Sequence, residues 1–239
     1  MSSSQKAVPT GTTPSHGAIA PAWHTALVLF VMLGFSLAGG LVGDLTTRGP
    51  HVRAIEYLTA IVLEWSIVAF IAYGVGRRGV RVGELVGGRW ARPVEFFRDF
   101  GIGIGFLLVG GGILQGLGHL LKASDNQALR NLLPHSLTEV LLWLVMSLTA
   151  GFCEELIFRG YLQRQFSALT QSAAGGIVLQ GIAFGAGHGY QGWKMMLLIA
   201  IYGVMFGLLV RWCRSLRPGM ITHFVQDGAG GLFGRYLAR

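Results

Sequence analysis

The sequence predicts an all-α, polytopic membrane protein: a helical bundle with seven to eight transmembrane helices. The 239-residue chain is 52% hydrophobic and only 13% charged, whereas a soluble domain has about 25% charged residues. Glycine is frequent, at 37 residues. The Gly-x-x-x-Gly spacings at Gly112/Gly116, Gly181/Gly185 and Gly203/Gly207 are expected to let membrane helices pack closely. Apolar segments of about 20 residues, the length that crosses a bilayer, recur along the whole chain. A single signal sequence therefore cannot explain the composition.

Seven apolar segments are candidate spans. They lie at 23–42, 56–75, 100–121, 137 to the glutamate pair at 154–155, 173–188, 195–210 and 218–237. A break of the fourth helix near Gly151 would raise the number to eight. Residues 1–22, rich in Ser, Thr, Pro and Gly, are expected to form a disordered tail. Residues 23–239 are expected to form a single membrane domain.

Lysine and arginine are distributed unevenly between the two predicted sides of the membrane. If the N-terminus is cytoplasmic, 12 of these residues fall in cytoplasmic segments and 7 in outer ones, and 77–98 alone holds six. The positive-inside rule therefore predicts a cytoplasmic N-terminus. The net charge of +8 is explained by this topology and by contact with anionic lipids. No nucleic-acid partner is expected.

Two adjacent glutamates, Glu154 and Glu155, lie inside the fourth apolar segment. A charged side chain at that depth costs about 2.5–3.5 kcal/mol on insertion scales, so intramembrane carboxylates are candidates for function. Glu155 and Arg159 are four residues apart on one helical face and are expected to pair. Glu154 points to a different face and is left as a candidate general base. A purely structural ion pair would need only one glutamate.

Two histidines on later helices are further candidates. Phe184 and His188 share a helical face, and glycines flank His188, which leaves room for a backbone or substrate to approach. His223 and Asp227 share a face of the last span. The structural alternatives are an interfacial histidine at position 188 and a buried His–Asp hydrogen bond made for packing. Weaker candidates, because they are ionisable groups within apolar spans, are Glu64 and His119.

A metal site is an alternative interpretation of these side chains. Two histidines with two or three carboxylates could bind Zn²⁺ and leave an open position. The His-Glu-x-x-His signature is absent, and the nearby cation of Arg159 disfavours a dication. We therefore expect no cofactor and keep zinc as the alternative. The cysteines, Cys153 and Cys213, are expected to be small buried hydrophobic residues without a disulfide framework.

The ordered set of three motifs resembles the CPBP family, the CAAX-protease and bacteriocin-processing membrane proteins also called the Abi family. The motifs are Glu-Glu-x-x-x-Arg at 154–159, Phe-x-x-x-His at 184–188 and His-x-x-x-Asp at 223–227. The resemblance covers about 137–227, the expected catalytic part. It implies a glutamate-dependent intramembrane endopeptidase, in the cytoplasmic membrane of a prokaryotic cell.

The resemblance also implies roles for the six motif residues. Glu154 would activate water, and His188 would help to hold that water. Glu155 and Arg159 would support the site, while His223 and residue 227 would stabilise the oxyanion of the tetrahedral intermediate. Such a division of roles agrees with the general needs of hydrolysis: a base, a water holder, and donors where negative charge develops.

Position 227 raises a chemical question, because the family pattern admits Asn or Asp there. Asn has an amide donor for an oxyanion, whereas ionised Asp only accepts. Asp227 therefore either carries a proton or orients His223, which then donates; we prefer the second role. Gln226 is expected to point elsewhere on the helix and to be a poor substitute.

The expected partners are a membrane-associated peptide or protein substrate and the lipid bilayer, with the oligomeric state open. Two other functions use the same residues: a catalytically silent immunity or scaffold protein, and a small transporter with Glu64, Glu154 and Glu155 as proton carriers.

One geometric problem is also open. An antiparallel helix pair brings Glu154 level with His188, but His223 lies near the start of a helix that begins on the opposite side. Helix tilt, an early end of the fifth helix or a re-entrant segment must close that gap.

Overall fold

The computed structural model describes residues 17–43, 50–123 and 127–237. Every regular element in these ranges is helical, which confirms the predicted all-α class. The α-helices are α1 (Ala22–Gly43), α2 (Pro50–Gly76), α3 (Val82–Val86), α4 (Pro93–Leu120), α5 (Gln127–Leu132), α6 (Leu137–Glu154), α7 (Gln163–Thr170), α8 (Ala173–Gly187), α9 (Trp193–Cys213) and α10 (Arg217–Leu237). A π-helical segment, Glu155–Leu162, joins α6 to α7, and a 3₁₀ turn, Gly189–Gln191, precedes α9.

Five helices in the described ranges are long and apolar enough to cross a membrane. They are Ala22–Gly39, Val52–Gly76, Pro93–Leu120, Leu137–Thr170 and Trp193–Cys213. The predicted number of seven to eight is therefore not confirmed. The fifth predicted segment is a helix of only 15 residues, about 22 Å long at 1.5 Å per residue, whereas a bilayer core is about 30 Å thick. The last one, α10, carries several charged and polar side chains and is not among the five.

The expected break near Gly151 is not found. The helix runs from Leu137 to Thr170 and changes at Glu155 from α to π winding. Gly151 instead lets α10 come close, because a Cβ there would lie 2.9 Å from the Met220 carbonyl oxygen and 3.0 Å from the Phe224 nitrogen. Trp143 precedes Gly151 on α6, and its indole N–H donates to the Asp227 carbonyl oxygen at 2.7 Å. Helices α6 and α10 therefore pack antiparallel along the region that holds the motifs.

Glycines also set the contact between α8 and α9. A Cβ on Gly185 would lie 2.7 Å from Ala200 Cβ, and one on Gly181 would lie 2.6 Å from Val204. The predicted Gly-x-x-x-Gly packing is thus found on α8. It is wrong for Gly112 and Gly116 of α4, because a Cβ at either position would meet nothing within 4 Å in the described residues.

The segment before α1 is fastened to the helix that carries the glutamates. Backbone amides of Ile19 and Ala20 donate to Gln165 Oε1 at 2.7 and 3.1 Å, and His24 Nδ1 lies 2.7 Å from the Tyr161 hydroxyl in the π segment. Of the expected disordered tail, residues 1–16 lie outside the described part. Residues 17–22 lie within it, and Ala20 is fully buried.

Candidate functional site

The two glutamates lie on either side of a change in helix type. Glu154 is the last residue of α6, and Glu155 is the first residue of the π segment, all of which is buried. The Glu155 side chain is fully buried, while 17% of the Glu154 side chain is exposed. Short π segments are frequent at functional sites. The two adjacent glutamates thus have different surroundings: Glu155 is sealed from solvent, and Glu154 is partly exposed.

Glu155 is paired with Arg159, as the four-residue spacing predicts. Arg159 Nη1 lies 3.0 Å from Glu155 Oε1, and neither side chain is exposed. The guanidinium carbon lies 4.2 Å from the ring centre of Phe184 and 4.7 Å from that of Phe206. Aromatic faces stabilise a cation that has left water. Because removal of one partner leaves an uncompensated buried charge, this pair fixes where the Glu155 carboxylate can lie.

The imidazole of His223 lies among three carboxylates. Its Nδ1 is 3.2 Å from Glu155 Oε1, and its Nε2 is 3.4 Å from Asp227 Oδ2 and 3.7 Å from Glu154 Oε2. Because a carboxylate accepts, Nδ1 carries a hydrogen, and this hydrogen bond fixes the orientation of the ring. Glu155, rather than the expected Asp227, therefore holds His223 at Nδ1. Asp227 lies with Glu154 on the side of Nε2.

His188 follows the last residue of α8 and is fixed by its own helix. Its Nδ1 is 2.9 Å from the Phe184 carbonyl oxygen, and its ring packs edge to face on Phe184 at 4.8 Å. Since a carbonyl only accepts, Nδ1 carries the hydrogen, and in the neutral ring Nε2 is left with a free lone pair. That nitrogen can accept a hydrogen bond from water.

The depth problem is resolved by where α8 and α10 end and begin. Helix α8 ends early, at Gly187, and His188 follows it at a half-buried position. Helix α10 begins beside the π segment rather than beside the end of α7. Leu216, just before it, packs against Gly160 in the π segment. Two turns from that point bring His223 to the level of the glutamate pair.

A cavity of about 910 Å³ joins these side chains. Glu154, His188, His223 and Asp227 line it, whereas Glu155 and Arg159 lie behind its wall. Of the weaker candidates, Glu64 and His119 also line the cavity. Glu64 Oε2 is buried and has no hydrogen-bond partner among the described residues. His119, by contrast, is largely exposed. The structure therefore gathers four of the six motif residues at one opening and places the other two as support.

The expectation that Gln226 points away from the site is wrong. Gln226 lines the same cavity as the motif residues, and its Oε1 accepts a hydrogen bond of 2.6 Å from the Tyr202 hydroxyl. The sequence contained the signal for this position, because residues three apart on a helix are neighbours, and Gln226 is three residues after His223. The partner, Tyr202 on α9, had no such signal.

Both cysteines have free thiols; Cys153 is buried and Cys213 half-buried. Within the three described ranges, no group of three or more His, Cys, Asp or Glu side chains is arranged to hold a metal ion.

The comparison with known proteins agrees with the motifs. A family model described as "Type II CAAX prenyl endopeptidase Rce1-like" matches residues 136–229, a range that contains all three motifs and the helices α6, α8 and α9. No curated protein and no solved structure matches the chain. The match covers the part of the chain that carries the three motifs, and it confirms the resemblance to CAAX proteases that those motifs predict.

Proposed function

We propose that this protein is an intramembrane endopeptidase that hydrolyses peptide bonds of membrane-associated substrates with a water molecule activated by Glu154. The observation that carries the proposal is the meeting of Glu154, His188 and His223 at one cavity. One oxygen of Glu154 there has no hydrogen-bond partner among the described residues. A carboxylate that shares a cavity with two imidazoles is the set that water activation needs. The match to a family of endopeptidases supports the same reaction class.

The reaction begins with a water molecule between Glu154 and His188. Glu154 takes one proton from the water while His188 Nε2 accepts a hydrogen bond from it, and the oxygen attacks the carbonyl carbon of the peptide bond. The new C–O bond converts the carbonyl oxygen into an oxyanion. His223 acts here as the imidazolium: its Nδ1–H donates to Glu155 and its Nε2–H donates to this oxygen. The carboxylates around the ring stabilise its positive charge.

Collapse of the tetrahedral intermediate breaks the C–N bond. Glu154 returns its proton to the leaving nitrogen, so that one water is consumed and a carboxylic acid and an amine are released. Glu155 and Arg159 do not touch the substrate in this scheme. Their role is to hold His223 and the π segment in place, which is consistent with their complete burial.

The chain is an integral membrane protein, because five of its helices are apolar and long enough to span a bilayer. We propose that α8 and α10 also lie within the membrane and complete a seven-helix bundle around the cavity, in the cytoplasmic membrane of a prokaryotic cell. Each of them packs against a spanning helix, α9 or α6. The substrate would be a membrane-associated peptide or protein, and no nucleic acid takes part.

Metal independence is the first prediction of this mechanism. Because Glu154 and His188 act on water directly, a strong chelator should leave peptide cleavage unchanged, and elemental analysis of the purified protein should find no stoichiometric transition metal. Loss of cleavage on chelation, restored by Zn²⁺, would favour the zinc-dependent protease.

The proposal is tested by comparing membrane peptides in cells that carry wild type or Glu154→Gln. Wild type should produce cleavage fragments of membrane-associated proteins that are missing from the variant, in which the base is replaced by an amide of similar shape. Glu84→Gln, the same substitution at an exposed position outside the cavity lining, serves as a control and should give the wild-type pattern. Identical fragments in the presence of Glu154→Gln would favour a catalytically silent scaffold or a transporter.

A further inference from the structure

The oxyanion site derived so far contains a single donor, His223. Asp227, which faces the same nitrogen of His223 at 3.4 Å, cannot donate when ionised. Preorganised donors aimed at the developing charge are the largest single contribution to many acyl-transfer reactions. A second donor near His223 would therefore have a large effect on the rate.

Gln226 lies where such a donor is needed. It is three residues after His223 on α10, on the neighbouring position of the same face, and it lines the cavity with His223 and Glu154. Its amide differs from the carboxylate of Asp227 in having two N–H donors.

Tyr202 fixes the direction of that amide. The Tyr202 hydroxyl donates to Gln226 Oε1 at 2.6 Å, so the amide oxygen is engaged and the NH₂ group faces away from Tyr202. The Tyr202 ring is itself held, because it packs on Phe206 at 4.7 Å. The same Phe206 ring lies 5.8 Å from the ring of His223. Tyr202, Gln226 and His223 therefore form one packed group at the cavity wall.

We infer that the Gln226 side-chain amide, oriented by Tyr202, is the second hydrogen-bond donor to the oxyanion, in place of the amide that Asp227 lacks. The inference rests on the proposed function. Gln226 would be a catalytic residue, because it touches the reacting oxygen, and Tyr202 a positioning residue that acts through it. No bond is made or broken by either side chain.

The test is the kinetics of Gln226→Met, which keeps the length of the side chain and removes both donors. Because an oxyanion donor acts in the transition state, kcat should fall on the order of 10²-fold with KM changed by less than a few-fold. Val225→Ala, the neighbouring position on α10 but outside the cavity lining, controls for disturbance of the helix and should keep wild-type kinetics. Tyr202→Phe should lower kcat by a smaller factor, because the amide remains but is no longer held.

A rescue experiment distinguishes a hydrogen-bond donor from a residue that only fills space. Adding Asp227→Asn to Gln226→Met restores an amide one position along the helix and should recover at least tenfold in kcat, which a purely structural role would not predict. A kcat within threefold of wild type for Gln226→Met would overturn the inference while leaving the proposed function intact if Glu154→Gln remains inactive. A kcat loss without rescue would make Gln226 a packing residue. Absence of cleavage by wild type would overturn both proposals.

Discussion

At the scale of single residues, the site is defined by how it distributes negative charge around one imidazole. Glu155 is sealed and compensated by Arg159 at 3.0 Å, so its charge is fixed in place. Glu154 and Asp227 face the other nitrogen of His223 and reach the cavity. Glu155 thus orients His223, and the two carboxylates that remain at the cavity are Glu154, the proposed base, and Asp227.

Position 227 can be tested without disturbing the packing. Asp227→Asn keeps the shape, and the Trp143 bond at this position goes to the backbone carbonyl, so the variant should retain activity within a few-fold of wild type. His223→Ala should lower kcat on the order of 10²-fold, the usual cost of a lost oxyanion donor. Asp227→Leu should cost less than His223→Ala, because Glu155 still holds Nδ1. All three are measured with a cleavable reporter peptide and purified protein in detergent.

Two outcomes would contradict these predictions for positions 227 and 223. A 10²-fold loss in Asp227→Asn would show that the carboxylate of Asp227 itself takes part in proton transfer. A fully active His223→Ala protein would remove the oxyanion role from α10.

At the scale of helices, the catalytic geometry depends on close contacts made by glycine. Helix α8 carries His188 and is held against α9 through Gly185, where a Cβ would lie 2.7 Å from Ala200 Cβ. The π segment also positions the site, because it carries both partners of the buried ion pair, Glu155 and Arg159. Close backbone contact thus sets the position of the helix that carries His188, and the buried side chains of the π segment orient His223.

Gly185→Ala is predicted to move α8 away from α9 and to displace His188. A misplacement of about 1 Å can cost about 10²-fold in rate, so peptide cleavage should fall by that order. The matched control is Gly112→Ala in α4, where a Cβ meets nothing within 4 Å in the described residues. Both changes replace a helical glycine by the same residue, and only the first should reduce activity. Equal activities of the two variants would show that the contact at Gly185 does not position His188.

The sequence predicted the helices and the motif residues because both depend on local spacing. The Glu155–Arg159 pair follows from four-residue spacing, which keeps the two side chains on one face in the π segment as well. The π winding itself was not predictable, because apolar periodicity does not encode a shift from one hydrogen-bond register to the next. Gly112 and Gly181 stand in identical Gly-x-x-x-Gly spacings, and only the neighbouring helix distinguishes them. The role of Tyr202 depends on a contact between two helices, which no local pattern reports.

At the scale of the whole molecule, the basic segments gather at one end of the bundle. The Leu216 amide donates to the Val86 carbonyl at 2.9 Å, and Arg164 Nη2 donates to the Glu84 carbonyl at 3.1 Å. Arg217 pairs with buried Asp99 at 3.0 Å. The segment before α1 lies at the same end through Gln165. These are the segments that the lysine and arginine distribution assigns to one side of the membrane. They are therefore neighbours in space, as that assignment requires.

This arrangement, with the positive-inside rule, predicts that the basic end faces the cytoplasm. In a Cys213→Ser background, in which Cys153 stays buried, a cysteine at exposed Arg89 should resist impermeant thiol reagents in intact cells. A cysteine at Ala123, at the opposite end, should react. The adjacent Ser124 lies outside the described residues. Labelling at Arg89 with protection at Ala123 would invert the topology.

The most direct test of the central claim is the rate of peptide cleavage by purified Glu154→Gln. The substitution keeps the shape of a side chain that lines the cavity and removes the proton acceptor, so cleavage of a reporter peptide should fall by at least about 10²-fold, the usual scale for loss of a general base. Substrate binding should be retained, because the glutamine fills the same space. Cleavage within a few-fold of wild type would contradict the account, since water activation would then not depend on Glu154.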